Sequence, residues 1–352
     1  MTENTLWVDM ASPSHPFFFQ ALTDELDNST IQATVRDKTE TVDLAEEVGF
    51  DYEILGRDFD NTLLRKFGIP LRTGQLAFSA PRADVSLSSR NAMCILASKA
   101  RGIPSIHFTD NDITAHVDAL PFEKLYNRLE AMATYNVVPS AFETDELINR
   151  GADPEQVITH EGYKEDIYIA NFEPDPRFTD ALPFDDYIVL RPEALDAAYV
   201  EEVQSIVPQI LEQATEAGLN VVYLPRGRGD ESYADPYPSD QVYTPSQALN
   251  GLQLAWHSQA VLTGSGTMAR EAACMSKPAI SFFPNELLSV DTEMVEKEMI
   301  FHSRTPEEVI DFVTSQSQAE RKPSTSRSES VLHDVVTKVD SIIETETSGG
   351  TS

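Results

Sequence analysis

Only two cysteines, Cys94 and Cys274, occur in 352 residues, and both lie in apolar helical stretches. That scarcity excludes a disulfide framework and a cysteine zinc site, and both thiols are expected to behave as small buried hydrophobes. Uninterrupted apolar runs of about 18 residues are missing as well, so no membrane-spanning helix is expected. The N-terminal stretch MTENTLWVDM lacks the basic start and long apolar core of an export signal. A cytoplasmic location is expected, with the inner face of the membrane as its outer limit. Cations are the third scarcity: 26 lysines and arginines, nine of them lysine, face 58 acids and give a net charge of −32. With no basic stripe to release counterions, the charge argues against nucleic acid or an anionic bilayer as the main partner and leaves at most peripheral membrane contact.

What is present is a core. Hydrophobic residues make up 41% of the chain and neither proline nor glycine is in excess, so this is a folded protein with an acidic surface rather than a disordered one. The acids are spread along the whole chain instead of forming a tail. Molar salt shortens electrostatic screening to roughly 3 Å and makes such density tolerable, so a halophile's cytoplasm, that of a halophilic archaeon, is expected.

Short apolar runs alternate with helical periodicity: LWVDM, IQATVR, YEIL, DVSLS, PSIHF, YNVVPS and QVITH in one half, then YIVLRP, NVVYLP, QAVLTG and AISFF in the other. Parallel βαβ units with helices on both sheet faces produce this pattern. The expected division is a first Rossmann-like domain over 1–169, a proline- and acid-rich linker over 170–186, a second Rossmann-like domain over 187–345 and a disordered tail over 346–352. Two doubly wound halves imply a central cleft between them. Ligands of such sheets lie beyond the carboxyl ends of strands, so the loops that follow the strands are the places to search.

The sharpest candidate is VLTGSGTMAREAACMSKPAISFF at 261–283. Gly264, Ser265, Gly266 and Thr267 stand at a helix start, and Arg270 and Glu271 fall in its first turns. Free amides and the helix dipole favour a phosphate there, and glycine leaves the backbone approachable. Helical spacing sets Glu271 about one turn beyond Thr267, where a carboxylate accepts ribose hydroxyls. A tight strand-to-helix turn is an equal reading of the same residues.

Other loops carry further candidates. His15, in SPSHPFF after the first strand, suits either a base toward an acceptor hydroxyl or a bond to phosphate. Asp110 and Asp112, in FTDNDITAH, suit a base or an acceptor clamp, and His116 could join them around a cation. Arg191, Arg226 and Arg228 end strands of the second half, where an arginine fork binds phosphate. No cysteine pair or close histidine pair has ligand spacing, and no metal site is expected.

SGTMARE resembles the motif of B-type glycosyltransferases and of the non-hydrolysing UDP-N-acetylglucosamine 2-epimerases. In those families a serine-glycine-glycine loop holds the diphosphate and a following glutamate holds the ribose. Ser265, Gly266 and Glu271 match, while Thr267 replaces the second glycine. WVDMASPSHPFFFQAL, VRDKTETVDLAEEVGFDYEILG, RGIPSIHFTDND, HEGYKEDIYI, YIVLRPE and GTMAREAACMSKPAISF together resemble the archaeal family DUF354, described as predicted glycosyltransferases, over nearly the whole chain. The resemblance implies two Rossmann-like domains facing a cleft, the GT-B fold. It implies a metal-independent hexosyltransferase of polysaccharide biosynthesis, with an NDP-sugar, UDP-linked for preference, as co-substrate and no other cofactor. The acceptor is then a sugar or a lipid-linked glycan, and a homodimer is allowed for. The alternatives are a UDP-sugar 2-epimerase-like isomerase or hydrolase, and a non-catalytic nucleotide-sugar binder. Against the epimerase, this chain has Ser88 and Ser89 where those enzymes carry an acid.

Overall fold

The computed structural model describes residues 3–37, 39–57, 62–117, 120–193, 204–227, 229–247, 249–316 and 323–348. The chain divides into two compact units, one made of Met1–Asn171 with Ser328–Ser352 and the other of Phe172–Arg327.

The first unit alternates β1 (Asn4–Met10), α1 (His15–Thr23), β2 (Ser29–Asp37), α2 (Thr39–Glu47), β3 (Tyr52–Arg57), α3 (Thr62–Ser79), β4 (Val85–Ser89) and α4 (Ala92–Arg101). It continues with β5 (Ser105–Phe108), α5 (Ile113–His116), α6 (Pro121–Glu130), β6 (Tyr135–Pro139), α7 (Asp145–Ile148), β7 (Val157–His160) and α8 (Lys164–Ile169). Its seven strands are parallel in the order β3-β2-β1-β4-β5-β6-β7. Strands covered on both faces must be apolar throughout, and Leu6, Trp7 and Val8 of β1 are fully buried in succession.

The second unit contains β8 (Ile188–Arg191), α9 (Val207–Glu216), β9 (Val221–Tyr223), β10 (Val242–Tyr243), α10 (Gly251–His257), β11 (Ala260–Thr263) and α11 (Gly266–Cys274). Then follow β12 (Ala279–Ser281), α12 (Ser289–Glu296), β13 (Ile300–His302) and α13 (Pro306–Gln316), and the last helix, α14, spans Ser326–Ser348. The six strands run in the order β10-β9-β8-β11-β12-β13, again all parallel. Ile188, Leu190, Val221, Leu262 and Ile280 form its core with Val207, Ile210 and Leu211 of α9. Two doubly wound α/β units of Rossmann type are therefore present, as the alternation predicts. Cys94 and Cys274 are buried and form no disulfide. Among the described residues no helix is long and apolar enough to cross a membrane.

Two expected boundaries shift. The terminal helix, assigned by sequence to a domain ending at 345, belongs to the first unit. Ser328 Oγ donates to Asp166 Oδ1 (2.7 Å) and Tyr135 Oη to Glu346 Oε1 (2.8 Å). Val331 also fills the space beside Gly162, where an added Cβ would come within 2.4 Å of it. The stretch expected as a linker over 170–186 is bonded to α10. Asp175 N–H donates to Gln253 Oε1 and Gln253 Nε2 to Glu173 O, while Phe178 stacks on His257.

Candidate functional site

The strand order of the second sheet reverses between β8 and β11, and open α/β sheets bind ligands at such reversals. Arg191 and Thr263 are register partners at that edge, and α11 begins immediately beyond. The loop is anchored from beneath. Gly264 N–H donates to Arg191 O (3.0 Å), and Ser265 N–H to Thr263 Oγ1 (2.9 Å). These two amides are spent, so the expected cradle over Gly264–Thr267 shortens to the amides of the helix start proper. Ser265 stands at the N-cap without a side-chain cap bond, and Ser265, Gly266 and Thr267 are only half-buried. The first-turn donors of an uncapped helix stay available to an outside acceptor.

The two glycines have different jobs. A Cβ on Gly264 would lie 2.6 Å from Glu193 Cα, so this glycine serves backbone packing, not anion approach. A Cβ on Gly266 would lie 3.0 Å from the Arg270 guanidinium, at the open side of the turn. Arg270 is buried, and its Nη1 bonds Asp291 Oδ1 at 2.9 Å, so its charge is shared with α12. Glu271, in the second turn, is half-buried. Arg191 is half-buried at the strand end, whereas Arg226 Nε is tied to Pro192 O (2.8 Å). Arg228 lies outside the described residues. Sequence reasoning missed Glu193, whose buried carboxylate accepts from Ser205 Oγ (2.7 Å), Ile206 N–H and Arg304 Nη1. Its position right after Arg191-Pro192 at a strand end was the available signal.

In the first sheet the order reverses between β1 and β4. His15 opens α1 there and is 5% exposed. Ala11 N–H donates to its Nδ1 (3.1 Å), so a neutral ring carries its proton on Nε2. Burial first, then the charges of Lys164, Arg72 and His107, push its pKa from 6.5 down to about 3. Of the two expected roles, the base is disfavoured, because the one lone pair of the ring is occupied. A fixed Nε2–H donor is what remains. Asp110 is buried and receives Lys164 Nζ (3.2 Å). Asp112 is fully buried, and its Oδ2 accepts Glu143 N–H (3.0 Å) while His116 Nε2 lies 3.7 Å from Oδ1. That geometry makes Asp112 a brace between two loops, separated in role from Asp110. Among the described residues no cluster of three or more His, Cys, Asp or Glu side chains is placed to hold a metal ion.

Beneath this edge runs a row that alternation alone does not reveal. Thr34, Asp9, Ser88, His107 and Asn136 are register partners across five adjacent strands, all buried. Asp9 Oδ1 accepts from Arg72 Nη2 (2.8 Å) and Thr34 Oγ1 (2.6 Å), and Oδ2 accepts from Asn91 Nδ2 (2.7 Å). His107 bonds Asn136 through Nδ1 (3.0 Å), and its Nε2 faces Glu130 Oε1 at 3.5 Å. Burial opposes the charge of Glu130, yet Arg90 and His107 hold its carboxyl below the ordinary range. Ser88 and Ser89, in place of the epimerase acid, are buried with unpartnered hydroxyls.

Known structures share the architecture. UDP-GlcNAc 2-epimerase from Methanocaldococcus jannaschii superposes with a TM-score of 0.69 at 16% identity, over 95% of this chain and 99% of that one. The S. aureus MnaA-UDP co-structure gives 0.69 at 14% identity, over 96% and 97%. A kitacinnamycin glycotransferase gives 0.59 at 12% identity, over 98% and 100%. At these identities the likeness establishes the fold, which is GT-B. In sequence, the uncharacterized protein MJ0665 of Methanocaldococcus jannaschii is 26% identical over 328 residues, spanning 88% of this chain and 90% of that protein. Residues 4–344 match the family described as "Protein of unknown function (DUF354)", and the chain belongs to that family.

Proposed function

We propose that the protein is a metal-independent glycosyltransferase that takes an NDP-sugar, UDP-linked for preference, through its second unit. The observation that carries this is the uncapped start of α11 beside the β8/β11 reversal, where the amides beyond Ser265 stay open to an anion. The diphosphate would sit on the amides of Gly266 to Met268 and the Thr267 hydroxyl, with Glu271 one turn along for the ribose. Stabilising the departing diphosphate by these fixed dipoles would supply most of the rate. Arg191 and Arg270 add positive charge at the same edge. In the first unit, His15 Nε2–H would donate to a substrate oxygen, and Asp110 is the carboxylate proposed to accept the acceptor's proton. The neighbouring folds include both an epimerase and a glycotransferase, which supports nucleotide-sugar chemistry in general.

The test is thermal stability in potassium chloride with UDP, then with UDP-sugars. A nucleotide at about 100 times its dissociation constant adds roughly 2.7 kcal/mol. Glu271→Gln should weaken UDP binding about tenfold, the worth of one charge-assisted hydrogen bond. Absence of stabilisation by any nucleoside diphosphate would overturn the site. Free UDP or a changed sugar formed without acceptor would replace the transferase by a hydrolase or an epimerase.

A further inference from the structure

Every large hydrophobic side chain that stands exposed among the described residues lies between Ile54 and Met132, in the first unit. Four of them sit on two helices, with Phe78 at 93%, Phe122 at 76%, Leu125 at 56% and Leu71 at 51% exposure. The helices share one sheet face. Leu76 of α3 packs with Trp7, Met93 and Cys94, and α4 lies between α3 and α6. On α3, Arg72 and Leu76 point inward and Leu71, Gln75 and Phe78 outward, at helical spacing. On α6 the usual arrangement is inverted. Asn127 and Glu130 are the buried residues, held by Arg90 Nη1 at 3.0 and 2.7 Å, while Phe122, Leu125 and Arg128 face out. Two buried polar side chains held by the half-buried Arg90 thus anchor α6 with its apolar stripe turned to water.

Charge reverses on the same face. The sequences of α3, α4 and α6 hold seven lysines and arginines, of which Arg72 points inward to Asp9, and two acids, in a chain with 58 acids and 26 cations. Both acids, Glu123 and Glu130, are bonded to Arg90. Lys99 of α4 and Arg128 of α6 are exposed. Exposed apolar patches of this kind mark interaction sites.

We propose that the outer face of α3, α4 and α6 docks on an anionic lipid bilayer, with Phe78, Phe122 and Leu125 entering the headgroup boundary and Lys99 and Arg128 meeting phosphates. Charge decides between partners. A symmetric pairing of two copies would bring two cation-rich faces together, and the exposed large hydrophobics outside α3 and α6, Ile54 and Met132, are single side chains that make no counterpart for an unsymmetric one. A bilayer supplies an apolar layer and negative headgroups together. The net charge of −32 does not prevent this, because acids farther from the membrane than the screening length, roughly 3 Å in molar salt and about 8 Å at 0.15 M, are screened, whereas Lys99 and Arg128 would touch the headgroups. Rings carry the contact and cations orient it. Delivery of a lipid-linked acceptor as the purpose rests on the transferase reading above, whereas the docking itself does not.

The experiment is flotation of the full chain with phosphatidylglycerol–phosphatidylcholine vesicles, in the lowest potassium chloride that keeps its circular dichroism native. Wild type should float, and phosphatidylcholine alone should bind it about tenfold less, the worth of one or two surface cations. Phe78→Ser with Phe122→Ser should lower binding at least about tenfold, since two rings leave the boundary. If that variant loses its circular dichroism, Lys99→Glu with Arg128→Glu tests the same face without touching the rings. Failure of folded wild type to float overturns the proposal. So does a dimer by light scattering that Phe78→Ser with Phe122→Ser splits into monomers, which would assign the face to a second copy. Wild type that floats yet gains no stability from UDP removes the nucleotide reading and leaves the surface standing. UDP stabilisation without flotation removes only the surface.

Discussion

Each unit turns from strand to helix beside the reversal of its strand order, once after β1 and once after β11, and the two turns are built from opposite materials. At α11 the turn is Gly264-Ser265-Gly266, the N-cap makes no side-chain bond and the first amides stay open. At α1 the N-cap Ser14 also makes no side-chain bond, but the first two helical positions offer no amide: His15 N–H donates to Ser12 O and Pro16 has none. What α1 offers instead is one side chain, a neutral histidine fixed through Nδ1. The same secondary-structure junction therefore presents open helix-start amides, the proposed anion seat, in one unit and a single directed donor in the other. Which of the two emerges is decided by two or three residues, not by the fold.

Below both turns lies a buried arginine–aspartate pair, Arg72 with Asp9 (2.8 Å) and Arg270 with Asp291 (2.9 Å). Removing one member of such a pair strands a buried charge and costs about 3–5 kcal/mol. Asp9→Ala should sit at the top of that range, because Thr34 and Asn91 lose their acceptor along with Arg72. Asp291→Ala should sit at the bottom, since Asp291 is the more exposed acid. Chemical denaturation of the two variants measures the difference. Equal losses would mean that the polar row across the first sheet adds nothing beyond its ion pair.

The glycines of the second turn separate packing from binding. Gly264→Ala forces a Cβ onto the Glu193 backbone and should cost about 3 kcal/mol of stability, as overpacking does. Gly266→Asp should leave stability nearly unchanged, because an acid at a helix start is favourable and the Arg270 guanidinium is in reach. The same carboxylate would occupy the anion seat, so UDP affinity should fall about a hundredfold, roughly 2.7 kcal/mol. Calorimetric titration of both variants sharpens the contrast. Retained UDP affinity in Gly266→Asp would show that the open amides are not the seat.

Much of this architecture was legible because parallel strands covered on both faces must be continuous apolar runs, as LWVDM and AVLT are. Elements that break such rules escaped. β10 has two residues and β13 three, too short for any period, and α3 carries Pro70 with two glycines inside its span. Site residues were legible as positions but less so as roles. His15, Asp110 and Arg191 fall at strand ends as the alternation requires, yet a sequence does not show which ring nitrogen meets a backbone amide. Gly264 looked like an anion-approach glycine because Glu193, the group it packs on, is distant in sequence. The same limit applies to α6: that Phe122 and Leu125 face out follows from Arg90, distant in sequence, holding Asn127 and Glu130 beneath them.

The smallest expected effect bears on the first turn alone. His15 has a folded pKa of about 3 against about 6.5 in an unfolded chain. Between those values the unfolded chain binds more protons, so stability is complete above pH 6.5 and falls as pH drops toward 3, by at most about 1.4 kcal/mol per unit. His15→Gln keeps a neutral acceptor for the Ala11 amide and has nothing to protonate, so its stability should fall less steeply over this window. Carboxylates contribute equally to both proteins, and the difference between denaturation curves at pH 7 and pH 5 therefore isolates the histidine. Parallel losses would mean that the ring opens to water and takes up a proton, which would return His15 to the list of bases. A diverging pair of curves would fix it as the neutral donor, and the pH dependence of any turnover near 6.5 would then belong to another group.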